Sequence, residues 1–101
     1  MRVIWAPRAI ARAAEIAQYI AADLPSAARR WVDELFVRVA SVGRQPRRGR
    51  KVPELDRDER REILYGAYRV IYRLDPKRVI VLTVRHGRRQ WDPAEVDPDA
   101  S

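Results

Sequence analysis

GAYRVIYRLDPKRVIVLTVRHGRR, residues 66 to 89, alternates apolar with polar or basic side chains, breaks once at Asp75-Pro76-Lys77, and then continues as a second β-like run. A period of two belongs to a strand, because successive side chains point to opposite faces. Proline has its φ preset for the second position of a type I turn, so Asp-Pro-Lys between two such runs predicts a hairpin. In the first strand Tyr68, Val70, Tyr72 and Leu74 share one face, and Arg69, Ile71 and Arg73 the other. In the second, Ile80, Leu82, Val84 and His86 alternate with Val79, Val81, Thr83 and Arg85. The apolar sets are expected to pack on helices and to leave a face that displays Arg69, Arg73 and Arg85. His86, the only histidine, then falls on the core side where the strand runs out.

Working outward toward the N-terminus, REILYG (61 to 66) has the same period, and Gly66-Ala67 joins it to the hairpin as a three-strand meander. ELDRDERRE (54 to 62) is mixed in charge and is expected to be exposed. RQPRRGRKVP (44 to 53) reads as a basic loop carrying Arg44, Arg47, Arg48, Arg50 and Lys51. Before it the period changes to that of a helix. Ala28, Trp31, Val32, Leu35, Val39 and Val42 form one stripe, with Gly43 and Pro46 marking the end, and Trp31 and Phe36 reading as packing residues. Ile10, Ala13, Ala14, Ala17, Ile20, Ala21 and Leu24 form another stripe, opened by Pro7. Asp23-Leu-Pro-Ser separates the two helices and offers Asp23 or Ser26 as a cap, so the pair should form an antiparallel hairpin. MRVIW at the start reads as a strand. The expected fold class is therefore α+β: an N-terminal strand and an antiparallel helix hairpin packed on a mainly antiparallel sheet that ends in the meander.

Length and charge narrow the function classes. At 101 residues, 47% apolar and 35% charged, the chain has the composition of one folded domain. The expected domain is 1–91, followed by an acidic, flexible tail at 92–101. No apolar run approaches the roughly 18 to 20 residues that span a bilayer, and no signal-peptide pattern is present, so a cytoplasmic location is expected. The absence of cysteine removes disulfides, thiolate catalysis and Cys-based zinc sites, and one histidine argues against a catalytic metal; no cofactor is expected. The formal charge is +7, but Asp92, Glu95, Asp97 and Asp99 lie in the tail, and residues 1 to 91 alone carry 21 Lys and Arg against 10 Asp and Glu, or +11. Such a field favours an anionic partner, nucleic acid or an acidic protein segment.

VPEL (52–55), GAYRVIYRL (66–74) and VIVLTVRHGRR (79–89), in the order strand, two helices, basic loop and meander, resemble the ParE/RelE superfamily of type II toxins. The resemblance implies a toxin held inactive by a cognate antitoxin, whose flexible acidic segment folds onto it. It also implies one of two activities. RelE-like members are ribosome-dependent endoribonucleases that cut mRNA, which needs a base, cations for the phosphorane and an acid. On that branch Glu54, Arg61, Arg69 and His86 are the candidates. ParE-like members bind DNA gyrase and need an interface instead. VRHGRR resembles the ParE-type ending, and no aromatic residue directly follows His86, Trp91 being the nearest. The reading adopted from the sequence is thus a ParE-type gyrase inhibitor with no assigned catalytic residue. Its candidate partner-binding residues are Arg47, Arg48, Arg50, Lys51, Arg69, Arg73, Arg85, Arg88, Arg89 and Trp91. A non-toxic nucleic-acid-binding module is the remaining alternative.

Overall fold

The computed structural model of the chain describes residues 1–88 and 90–96. The elements are β1 (Arg2–Trp5), α1 (Pro7–Asp23), α2 (Pro25–Arg44), β2 (Arg50–Lys51), β3 (Arg60–Tyr65), β4 (Tyr68–Leu74) and β5 (Arg78–His86), then a short 3-10 turn at Pro93–Glu95. They make one sheet of order β1-β5-β4-β3-β2 with the helix hairpin on one face. The meander pairs antiparallel, whereas β1 adds to β5 in parallel, from Arg2 opposite Arg78 to Trp5 opposite Val81. Parallel pairing needs a crossover, so β1 lies on the outside of the meander and the helices cover its inner face.

Both helices begin without a side-chain cap. Asp23 is the last residue of α1 and Ser26 lies inside α2, so neither fills the expected capping role. Leu24 occupies that position through its extended backbone, and Pro25 starts α2 where a missing N–H costs nothing. The stripe of α1 also differs from expectation. Ala9, Ala13 and Ile16 face the core, while Ile10 and Leu24 are half exposed. The cause is the N–H of Ala6, which donates to the carbonyl of Val81 at 2.9 Å and draws the first turn of α1 onto β5. Only a small side chain fits at such an approach, and Ala9 is fully buried there. Gly43 is not beyond α2 but within its last turn. A Cβ there would lie 2.6 Å from the carbonyl of Met1, so glycine lets β1 begin against the helix.

The core joins Leu35 and Val39 of α2 to Val70, Val81 and Val84, with Trp31 and Trp5 packed at its margin. Trp31 contacts Tyr65 and Tyr68, and Phe36 rests on Trp5 while remaining half exposed. In β5 the alternation is broken. Ile71 pairs with Thr83 but Tyr72 pairs with Val81, so Leu82 is the additional residue of a bulge. Val79 and Val81 consequently join Val84 and His86 on the helix side, and Leu82 turns to the far side with Ile80, correcting the uniform alternation.

The far face is covered rather than displayed. Val52, Ile71 and Val96 form a buried cluster there, flanked by Leu55, Leu82 and Trp91. Arg69 is only 7% exposed, so it is not displayed, and the expected exposure of 54–62 holds for Glu54 and Asp56 to Asp58 but fails at Arg60 and Glu62, which are buried. Arg73 and Arg85 are half-buried. Val96 brings the segment after Trp91 into this cluster; Arg89 and residues 97–101 lie outside the described residues.

On the helix side, the Tyr72 hydroxyl donates to the carbonyl of Pro46 at 2.8 Å and accepts from the N–H of Gly49 at 3.0 Å, tying the basic loop to β4. Tyr72→Phe takes the hydroxyl partner from the buried N–H of Gly49 and the part-buried carbonyl of Pro46 and should cost about 1–3 kcal/mol, read as a lower denaturant midpoint with an unchanged m-value. An unaltered midpoint would show that the hydroxyl does not anchor the loop.

Candidate functional site

The far face of β3 and β4 carries a carboxylate with no exposed side-chain surface, that of Glu62. Burying such a charge is costly unless it is paired and hydrogen-bonded. Register supplies the partners: Arg50 lies opposite Glu62 across β2–β3, and Arg69 stands on the neighbouring strand β4. Arg50 donates Nε and Nη2 to Glu62 Oε2 at 3.0 and 2.8 Å, and Arg69 donates Nε to Oε1 at 3.0 Å. The other side of the Arg69 guanidinium is bidentate on Glu54, at 2.7 Å for both contacts. Trp91 completes the group, its indole N–H donating to Glu54 Oε2 at 3.1 Å while its ring lies 5.6 Å from the Arg69 guanidinium carbon.

The electrostatics follow from these contacts. Hydrogen bonds from Arg69 hold the Glu54 carboxyl down to about 2 from an ordinary 4.5, against the opposing effect of burial. Glu54, and then Glu62, hold the Arg69 guanidinium firmly in its charged form. A general base works best with a proton affinity matched to neutral pH, and Glu54 has a far lower one. Its lone pairs are also directed at Arg69 and Trp91. A recess of about 400 Å³ beside Glu54 and Arg69 is bounded by Pro53, Leu64 and Gly87.

The other two members of the ribonuclease set lie elsewhere. Arg61 pairs in register with Tyr72, on the helix side, and donates to the Gly49 carbonyl at 2.9 Å and to Asp58 Oδ1 at 2.6 Å. His86 pairs with Tyr68, also on the helix side, four residues along β4 from Tyr72, which is roughly 13 Å at the rise of a strand. Its ring meets Tyr68 edge-on at 5.5 Å, and Nδ1 accepts the backbone N–H of Arg88 at 3.2 Å, closing the turn after β5. Glu54 and Arg69 are thus together on one face, and Arg61 and His86 are apart on the other. Among the described residues no three His, Cys, Asp or Glu side chains converge to hold a metal ion.

The candidate partner-binding residues likewise divide. Arg69, Arg50 and Trp91 belong to the far-face network. Arg47 is paired with Asp58, and Arg73 with Asp75; with Arg48 and Lys51 they lie toward the end where β4 finishes. Arg85 and Arg88 lie at the opposite end, beside a groove of about 560 Å³ between α1 and β5 that also holds Ile16, Tyr19, Tyr68 and His86. Sequence reasoning missed Glu62. Its alternation with Leu64 in REILY gave the available signal, since it puts Glu62 on the face of Ile71.

The family model described as ParE toxin of type II toxin-antitoxin system, parDE, matches residues 3–91. The protein named "Putative toxin Y4kP" from Sinorhizobium fredii (strain NBRC 101917 / NGR234) is 35% identical over 91 residues, covering 89% of this chain and 92% of that one. A structure titled "Chromosomal ParDE TA system from P. aeruginosa" shares the fold with a TM-score of 0.73 at 17% identity, over 85% of this chain and 95% of the other.

Two outcomes follow from the network. Arg69→Met leaves Glu62 facing an apolar neighbour and should destabilise by about 3–5 kcal/mol, while adding Glu62→Met should recover most of the loss. A double variant no more stable than Arg69→Met would contradict the pairing. Because the folded Glu54 carboxyl is more acidic than its unfolded counterpart, its contribution is complete above about 4.5 and is lost as pH falls toward about 2. The stability difference between wild type and Glu54→Gln, followed by denaturant titration, should shrink over that window; a constant difference would sink this assignment.

Proposed function

The chain belongs to the ParE toxin family of type II toxin-antitoxin systems, and on that premise we propose that it acts by binding DNA gyrase in the cytoplasm and is neutralised by a cognate antitoxin. The observation that carries this reading is the division of Glu54, Arg61, Arg69 and His86 between two faces of the sheet. In-line RNA cleavage needs its base, phosphate clamps and acid within reach of one phosphate. Here Arg69 is neutralised by two carboxylates, and His86 serves the turn that follows β5. Chemistry on RNA would first require taking these contacts apart. Binding another protein would not.

The antitoxin part rests on different surfaces. Ile10, Tyr19, Leu24, Phe36 and Val37 are large apolar side chains exposed on the helix hairpin. The groove beside α1 adds Ile16 and Tyr68 next to Arg88. An acidic segment with apolar anchors matches this combination, the charges guiding encounter and the anchors supplying affinity. Association should therefore slow as salt rises, with a smaller effect on dissociation.

Gyrase supercoiling with the purified chain tests the proposal: inhibition is expected, and stoichiometric antitoxin should relieve it. His86→Gln and Glu54→Gln should retain growth inhibition within a few-fold, whereas a ribonuclease would lose orders of magnitude. Growth arrest with supercoiling untouched and mRNA cut at ribosomes would overturn the reading.

A further inference from the structure

One end of the molecule gathers the charge of the whole chain. The carbonyl of Gly43 accepts from the backbone nitrogen of Met1 at 2.6 Å, which places the start of β1 at the end of α2. Arg47 reaches Asp58 at 2.7 Å, and the N–H of Leu74 donates to the carbonyl of Glu59 at 2.8 Å. Arg2 stands opposite Arg78, and Lys51 opposite Arg61. Segments 1–2, 44–51, 56–62 and 73–78 therefore meet around the close of β4, with a concave site of about 710 Å³ between Met1, Arg47, Arg48 and Leu74. These four segments hold twelve Lys and Arg against five Asp and Glu, a surplus of +7. The remaining residues hold nine of each sign and are neutral overall.

Of the five acids, four are each shared by two cations, Glu59 by Arg57 and Arg60 and Glu62 by Arg50 and Arg69, and among the described residues Asp56 makes no ion pair. Asp58 serves both Arg47 and Arg61, and Asp75 serves both Arg73 and Arg78. Among the described residues Arg2, Arg44, Lys51 and Lys77 make no ion pair. Like charges directly opposite in a sheet, as in Arg2 and Arg78, are unfavourable without an anion between them. We infer that this end is a docking surface for the phosphate backbone of duplex DNA, engaged while the chain is bound to its DNA-handling target. The choice of DNA over RNA rests on the gyrase reading.

An acidic protein segment fits less well, because docked peptides need apolar anchors. Among the described residues, large exposed apolar side chains lie on the helix hairpin and at Leu64, and at the basic end only Met1 is of that kind. Guanidinium-rich surfaces lacking apolar anchors suit phosphates, which accept forked hydrogen bonds. Contacts of this kind position a protein on a duplex without reading its sequence.

The test is fluorescence anisotropy of a labelled 20-base-pair duplex titrated with the full chain at several salt concentrations, with no gyrase present. Four phosphate contacts predict a slope of log affinity against log salt of about −3.6. Arg44→Glu with Lys77→Glu should weaken binding at least tenfold and reduce the slope by about 2, whereas Arg29→Glu, at the other end of α2, should change it less than twofold. Lys77→Glu alone, in a turn, provides the milder variant if the double one melts early. Undiminished binding by a folded reversal variant, binding insensitive to salt, or markedly tighter binding of duplex RNA than of duplex DNA would each overturn the inference. A capture of acidic peptide in place of DNA would do the same. Since gyrase is absent, failure here leaves the gyrase reading standing, and failure of the supercoiling assay leaves this binding measurable.

Discussion

The sheet is organised around one buried charge. Glu62 has no solvent to stabilise it, so the neighbouring strands must bring cations to it, and Arg50 and Arg69 do so from either side. Arg69 in turn needs more acceptors than Glu62 offers and takes Glu54, which fixes the segment after β2. Glu54 then receives Trp91, so the segment beyond β5 is drawn over the same face, where Val96 closes the apolar cluster with Ile71 and Val52. Buried pairs often contribute little net stability compared with apolar packing, but removing one partner is severe. The pair is therefore better understood as fixing the arrangement of four segments than as adding to its strength.

That role has a functional consequence. Two groups of the ribonuclease candidate set, Glu54 and Arg69, are engaged with each other, and Arg69 with Glu62 as well. Glu54 is held as a weak base and Arg69 has its charge balanced. His86 lies across the sheet from them, beside Tyr68. What remains available to partners is surface: exposed apolar side chains on the helix hairpin, a mixed groove beside α1, and a basic end. A family toxin that works by contact has use for all three.

Much of the fold was legible because periodicity is a property of local sequence. The three strands of the meander, both helices and the antiparallel hairpin follow from spacing and from Pro7, Pro25 and Pro76. The position of β1 was not legible, since nothing in RVIW distinguishes pairing with β5 from pairing elsewhere. The bulge at Leu82 was equally silent: Ile, Val and Leu suit either face, so a slip within VIVLTV leaves no mark in composition. The far-face site was misread for a related reason. ELDRDERRE has the composition of a solvated loop, yet Glu62 and Arg60 are buried, with Arg50 and Ile71 opposite Glu62 and Arg73 opposite Arg60 on the neighbouring strands. Burial of a charge depends on residues far away in sequence, and single-residue tendencies do not contain them.

The proposed mode of action is contact between the chain and its target. The direct measurement is calorimetric titration of the purified chain into gyrase holoenzyme at physiological salt, with antitoxin as competitor. Saturable binding that antitoxin abolishes is the expected result, and it should survive His86→Gln. No binding to gyrase, together with ribosome-dependent cleavage of mRNA that disappears in His86→Gln, would contradict the account.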